Sequence, residues 1–348
     1  MLSRKDVTTA GVEPIDIKLV DVISRIQIRF EGINNGHTPT AHPAKQVSKI
    51  ELVDGSDVLM SLTGMEAEAL SFYETHRSRP YEIDYRDDMF TEQIFDLNFG
   101  RWLFDPQLAF DPNRFTNPQL KITHNKASGG SSPDAGYLTV WADIFDEKRV
   151  SPLGWLMAKE HYTYTPTASS YKDIDLPDDY ILKRMLIQSL HAPNTFTNNI
   201  DEIRIDEENL KKVPLDLDMF IYMSSVMNVM PLYEEIIAVY TANGNKTVYV
   251  TPGEYPAYIP NVYSGTAAYV NAERGGGEQV LTSTAVSMSR GLVKGYMPHG
   301  CLPIEFGDQW DMSDWYDITR IKNLNLRLHH PSSVGGDVNI VLQQLRRY

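Results

Sequence analysis

The twenty residues Asp317–Gly336, DITRIKNLNLRLHHPSSVGG, repeat a stretch found earlier in the same chain, Asp111–Gly130, DPNRFTNPQLKITHNKASGG. Shifted by 206 residues, Asp317, Arg320, Asn323, Leu326, His330, Gly335 and Gly336 fall on Asp111, Arg114, Asn117, Leu120, His124, Gly129 and Gly130. Seven identities in twenty positions stand against about one expected by chance, and self-similarity of this kind marks a repeated architecture. Like residues fill the gaps: Phe110 with Tyr316, Phe115 with Ile321, Lys121 with Arg327, Ile122 with Leu328. The chain reads as two copies of one domain.

Outward from this block the correspondence continues. Tyr180–Leu190 answers Ile17–Phe30, with Arg184 and Ile187 where Arg25 and Ile28 stand; Ile26, Ile28 and Phe30 show the two-residue period of a half-buried strand. Ile200, Ile203 and Ile205 answer Val47, Ile50 and Leu52 at an offset of 153, and Val338–Leu345 answers Leu138–Phe145. Further strands are expected at Val58–Leu62, Ile94–Phe99, Gln119–His124 and Tyr137–Phe145, the last apolar enough for the middle of a sheet. Each copy carries one helix. Thr63 with Glu66 forms a capping box ahead of Met65, Ala69, Phe72 and Tyr73, and Leu217–Met230 is apolar enough for a buried helix, with Asp216 as its expected cap.

The offset grows from 153 near Ile50 to 207 at Phe99-Gly100, so the second copy holds 207 − 153 = 54 extra residues, all between Met230 and Gly300. Two hairpins are expected there: Ile236–Thr241 with Thr247–Thr251 about Asn243-Gly244, and Ala267–Asn271 with Gln279–Thr284 about Gly275-Gly276-Gly277. Many short strands, frequent turn residues and one helix per copy predict an all-β chain of two tandem eight-stranded jelly-roll sandwiches, the second bearing a long loop insertion. The expected division is an N-terminal arm at 1–16, jelly roll 1 at 17–150, and jelly roll 2 at 151–348 with an insertion projecting at about 231–300.

Composition narrows the function. The chain has 348 residues, 42% apolar and 22% charged, as in ordinary globular domains. No apolar run approaches a membrane span, and Met1–Gly11 has no apolar segment of the secretory kind. A single cysteine, Cys301, excludes an internal disulfide framework. A net charge of −14 opposes a general nucleic-acid role, and the basic pairs Arg4-Lys5 and Arg346-Arg347 read as solvated ends.

The search for chemistry is mostly negative. Phosphate loops, dinucleotide fingerprints, zinc-protease helices and serine elbows are all missing from the sequence. His37 with His42 and His329 with His330 are the nearest histidine pairs; neighbours on a strand face opposite ways, so the second pair cannot share one ion. The repeated His124 and His330 are expected to make structural hydrogen bonds at strand ends. Asp311, Asp314 and Asp317 have the spacing of calcium ligands without the full loop pattern, and read as a solvated acidic loop, as do Asp84, Asp87 and Asp88 and the rim Asp201, Glu202, Asp206, Glu207 and Glu208. Tyr249, Tyr255, Tyr258, Tyr263 and Tyr269 crowd the insertion and suit either binding or packing. No catalytic, cofactor-binding or metal-ligating residue is assigned.

Two tandem jelly rolls, a helix in each, a longer excursion from the second and the ending VNIVLQQLRRY resemble the double jelly-roll major capsid proteins of tailless icosahedral viruses, including bacteriophages with an internal membrane. The resemblance implies a non-enzymatic shell protein without cofactors. It implies homotrimers of pseudo-hexameric outline that tile a virion beside neighbouring capsomers and penton or minor proteins, with assembly in the host cytoplasm. In such a shell the basic termini would meet an internal viral membrane or an acidic neighbour. A trimeric viral spike or glycan-binding protein is the alternative, and a two-domain metal enzyme of the cupin kind is a further one.

Overall fold

The computed structural model describes residues 1–79, 81–146, 150–241, 244–261, 269–271, 275–283 and 288–348. The first half contains β1 (Ser3–Val7), β2 (Gly11–Asp16), β3 (Ile23–Ile33), β4 (Val47–Asp54), β5 (Asp57–Leu62), helix α1 (Gly64–Thr75), β6 (Glu82–Asp84), β7 (Phe90–Asn98), β8 (Pro118–His124) and β9 (Ala135–Ile144). The second contains β10 (Gly154–Tyr164), β11 (Ser170–Leu176), β12 (Ile181–Ser189), β13 (Glu202–Glu207), β14 (Lys212–Asp218), helix α2 (Met219–Val229), β15 (Tyr233–Tyr240), β16 (Gly244–Tyr249), β17 (Pro252–Asn261), β18 (Tyr269–Asn271), β19 (Glu278–Ser283), β20 (Met288–Pro298), β21 (Cys301–Glu305), β22 (Leu324–His330) and β23 (Val338–Arg347).

Strand order repeats between the halves. Sheet β1-β9-β3-β7 faces β2-β8-β4-β5 in the first sandwich; β10-β23-β12-β21 faces β11-β22-β13-β14 in the second. A parallel contact of β5 with β10 at Ser61 and Lys159 fuses one sheet of each into a single eight-stranded sheet. The opening repeat supplies β8 and β22, and both alternate buried and half-buried from first residue to last. Leu120 pairs with Leu52 and Ile122 with Ile50; Leu326 pairs with Ile205 and Leu328 with Ile203. The edge strands agree as well, since Ile15 pairs with Leu120 and Ile174 with Leu326. Even the irregularities recur. A bulge lies between Ile23 and Arg25 and another between Leu182 and Arg184, while Ile23 bridges Phe110 and Leu182 bridges Tyr316. Phe99 stacks on Phe110 at 5.1 Å, and Phe306 on Tyr316 at 5.3 Å. Such bulges set the bend of a sheet and persist as designed features.

Each sandwich closes over its own apolar core, one containing Ile28, Phe30, Ile50, Leu120 and Val140, the other Ile187, Ile203, Leu326, Leu328 and Ile340. β9 lies between β1 and β3, in the sheet interior as its composition predicts. Thr63 caps α1 as expected, its hydroxyl accepting from the Glu66 N–H at 3.2 Å while the Glu66 carboxylate accepts from the Thr63 N–H at 2.8 Å.

Several expectations need correction. The arm expected at residues 1–16 is instead built into the sheets as β1 and β2, paired with β9 and β8; short mixed strands gain their stability from neighbours remote in sequence. The C-terminal residues are not loose either. Arg346 pairs with Asp57 and lies over Trp155 at 5.2 Å, and the Tyr348 hydroxyl donates to the Ala109 carbonyl at 2.7 Å. The strand expected from Ile17 begins at Ile23. Helix α2 is capped by Asp218, not Asp216, and most of it is exposed.

The insertion folds into sheets β17-β20-β15-β6 and β16-β19-β18 around Ile83, Ile237, Val239, Val248, Leu281 and Val293. Its first expected hairpin does not form. β15 pairs along its whole length with β20 and, on the other side, with β6 from the first half; β16 pairs with β19. A lone hairpin buries too little to stand alone, and a strand paired on both sides buries more. β18 and β19 do form the second hairpin, with Tyr269 opposite Thr282; Asn243, Ala267 and Thr284 lie outside the described residues. Among the described residues no helix is long and apolar enough to cross a membrane.

Candidate functional site

The residues weighed as chemical candidates do not converge. Asp311 accepts from the Ser313 N–H and hydroxyl at 2.9 and 2.7 Å, Asp314 accepts from the Asp308 N–H at 2.7 Å, and Asp317 pairs with Arg320 at 3.0 Å. Each carboxylate thus serves its own turn. Asp111 and Arg114 repeat the last pair at 3.4 Å. His329 meets Asp201 at 2.6 Å, whereas His330 turns inward to the Asn199 carbonyl at 2.7 Å and the Tyr164 hydroxyl at 2.9 Å. The structural hydrogen bond expected for both repeated histidines is present at His330; at His124 the buried Nδ1 has no partner among the described residues. His37 accepts from the Asp87 N–H at 3.1 Å and stays apart from His42. Asp84 is not a solvated acid: it is buried and paired with Arg86. In the insertion Tyr258 is buried against Ser289 at 2.8 Å, Tyr255 is exposed, and nothing is described of the Tyr263 and Tyr269 side chains.

A buried polar construction lies where α1, the insertion and the second sandwich meet. Glu68, on the helix face turned from its own sandwich, accepts from the Tyr233 hydroxyl at 2.7 Å and meets His299 Nε2 at 3.0 Å. Beside it, His42 Nδ1 accepts the Ala44 N–H at 3.1 Å, and His42 Nε2 contacts the Thr251 hydroxyl at 3.0 Å. Thr251 in turn donates from its N–H to Glu235 at 2.8 Å and from its hydroxyl at 2.5 Å. All six side chains are buried. Burial alone would push the Glu68 carboxyl up; the His299 hydrogen bond, with the His299 and Arg79 charges, outweighs it and holds the group at about 2. Burial, with His299 alongside, pushes His42 well down, so its ring is neutral.

Among the described residues, His42, Glu68 and His299 form the one group of three potential metal donors, with candidate atoms within 4.8 Å of one another. Their hydrogen bonds suit a latch better than a cage. A neutral His42 whose Nδ1 accepts a backbone N–H carries its proton on Nε2, which faces the Thr251 hydroxyl, so neither nitrogen offers a free lone pair. Sequence reasoning missed this cluster because its members lie 26 and 231 residues apart (68 − 42 and 299 − 68) on elements that only the fold brings together. The capping box at Thr63 was the one local signal near it.

The same seam continues along α1. Arg184 donates to the Tyr73 carbonyl at 3.0 Å, Tyr73 donates to the Cys301 carbonyl at 2.6 Å, and Gln343 donates to Glu74. A cleft of about 270 Å³ between the sandwiches is lined by Glu74, Arg101, Lys183, Arg184, Glu305 and Asp308 among others. Arg184 is answered within it, pairing with Glu305 at 2.6 Å, so the cleft is a join and not an anion site.

Burial pushes both Glu235 and Glu254 up from 4.5 to about 8. Each holds in the folded chain a proton that it releases in the unfolded one. Their contribution to stability is complete below about pH 4.5 and is lost as pH rises through 8. The melting temperature is therefore expected to fall between pH 6 and 9, and Glu235→Gln to flatten that slope. An unchanged slope in the variant would show that Glu235 titrates normally.

Two jelly rolls of one strand order, fused in tandem and sharing every register described above, define a double jelly-roll chain. Neither a protein family nor a curated protein matches the sequence. Solved structures do. The major capsid protein of Sulfolobus turreted icosahedral virus is similar over 99% of this chain and 94% of its own, with a TM-score of 0.60 at 12% identity. The major capsid protein P2 of bacteriophage PM2 is similar over 99% and 98%, at 0.55 and 9%. The PBCV-1 capsid protein VP54 is similar over 99% and 93%, at 0.57 and 11%. At these identities the likeness is one of fold: the chain has the double jelly-roll fold of major capsid proteins from end to end.

Proposed function

We propose that this chain is a major capsid protein, a non-enzymatic shell subunit that forms homotrimers of pseudo-hexameric outline and tiles an icosahedral virion. The observation that carries the reading is the shared strand order and core register of the two sandwiches, with the bulge before Arg25 repeated before Arg184. Two near-equivalent units per chain, taken three times, supply six similar edges, and closed rings of like units are the commonest route to regular assemblies. A unit boundary near residue 150, an insertion standing out from the second unit, and neighbouring capsomers, penton proteins and a viral membrane as partners belong to the same proposal. Shell subunits act through repeated shape-matched contacts and need no cofactor.

The test is native mass and outline. Light scattering is expected to give three times 39.5 kDa, and negative-stain images a hexagonal footprint. A stable monomer or dimer without that outline would sink the reading. Specific capture of one sugar class on a glycan array would favour the spike alternative.

A further inference from the structure

Lys183 is the one buried lysine among the described residues, and it has no charged partner in contact. Lys183 and Gln343 are each 2% exposed, and the lysine Nζ meets the glutamine Oε1 at 3.4 Å. Among the described residues that is its one hydrogen-bond contact, and no carboxylate oxygen lies within 4.0 Å of it. A charged amine so placed would be costly to bury. Gln343 turns its other end to α1: Nε2 donates to Glu74 Oε1, while Glu74 Oε2 accepts from Asn98 Nδ2 at 2.6 Å. The amide thus lies between an amine and a carboxyl, its oxygen toward one and its nitrogen toward the other. Trp315, itself buried, walls the amine with its ring 5.8 Å from Nζ.

The trio sits at the repeated bulge. Lys183 occupies the extra position before Arg184 as Ser24 does before Arg25, and Gln343 faces Arg184 as Asp143 faces Arg25. In the first copy both positions have plain structural partners. The Ser24 hydroxyl accepts the Phe104 N–H at 2.7 Å, and Asp143 pairs with Arg25 at 2.8 Å. A bulge re-aims a side chain, and in the second copy the same device points an amine at an amide. Burial and the adjacent Arg184 push the Lys183 ammonium down, with Arg101 adding to them and Glu74 and Glu305 opposing; burial pushes the Glu74 carboxyl up. Both shifts favour a neutral amine and a protonated acid, the forms in which one attacks and the other donates.

We infer that Lys183 and Gln343 join in an intrachain isopeptide bond, with Glu74 carrying the proton. The Nζ lone pair adds to the side-chain carbonyl carbon of Gln343 and forms the new C–N bond. Glu74 donates its proton to the departing Nε2 and regains one from the attacking nitrogen; the C–Nε2 bond breaks and ammonia leaves. One amine and one carboxamide become one secondary amide and ammonia, with no oxidant, metal or cofactor. Holding the groups in contact supplies the rate advantage. The bond ties β12 to β23 across 160 residues of sequence, within one copy and whatever that copy assembles with. A cross-link of that span restricts the unfolded chain and so stabilises the fold.

The test is the mass of the purified full chain, held folded at neutral pH until the mass stops changing. Wild type is expected about 17 Da below its sequence mass, the loss of one ammonia in forming the amide. Asn35-Gly36 and Asn243-Gly244 can lose ammonia as succinimides, so tryptic mapping decides, with a branched peptide joining Lys183 to Gln343 expected. Lys183→Arg removes the nucleophile, and Glu74→Gln removes the proton while keeping a partner for the Gln343 amide. Each is expected to keep its circular dichroism and to lack the branched peptide. Wild type without that peptide overturns the bond, whether or not the variants fold. A branched peptide that persists in folded Glu74→Gln overturns the part assigned to Glu74.

Discussion

Glu68→Ala is expected to be the most damaging single change in the chain. It removes the carboxylate that joins α1 to the insertion through Tyr233 and to the turn between β20 and β21 through His299. Both partners are buried and cannot turn to water, and the Arg79 guanidinium close by loses a compensating charge. Breaking a buried, hydrogen-bonded charge cluster from one side costs about 3–5 kcal/mol. Tyr233→Phe removes one hydrogen bond and leaves the carboxylate with His299, so about 1–3 kcal/mol is expected. Denaturant unfolding at a fixed protein concentration checks both, because any self-association adds to apparent stability. A loss below about 1 kcal/mol for Glu68→Ala would mean that the cluster decorates the seam without holding it.

The second large effect is expected in a matched pair. Leu120 and Leu326 are fully buried, occupy the same position of the repeated block, and face Leu52 and Ile205. Truncating a buried leucine to alanine costs about 2–5 kcal/mol, with the spread set by how far the cavity collapses. Leu120→Ala and Leu326→Ala should therefore weaken their sandwiches by similar amounts. Hydrogen exchange can read the two halves separately, with loosening expected first in the sandwich that carries the change. Strongly unequal losses would show that the two cores have diverged in packing while keeping a common register.

The opening repeat was a sound guide because a strand writes its buried face into every second residue. Leu120, Ile122 and His124 and their counterparts Leu326, Leu328 and His330 needed no partner to be recognised as one face. The capping box at Thr63 was equally local. The β1 and β2 strands escaped notice because Ser3–Val7 and Gly11–Asp16 are short and mixed; they are strands through β9 and β8, far along the chain. The helix at Met219 was legible as a helix. Its environment was not, because an apolar composition records that a face will be covered and is silent on whether the same chain does the covering.

By itself the sequence determined the duplication, the strand periods and one helix in each copy, since all are patterns between near neighbours or between aligned copies. Only the tertiary structure decided which insertion strands pair, that β5 and β10 fuse two sheets, and that His42, Glu68 and His299 share one buried seam. Those outcomes depend on contacts between residues tens to hundreds of positions apart. Several pairings satisfy the same alternation of apolar and polar side chains, and burial of the whole chain selects among them.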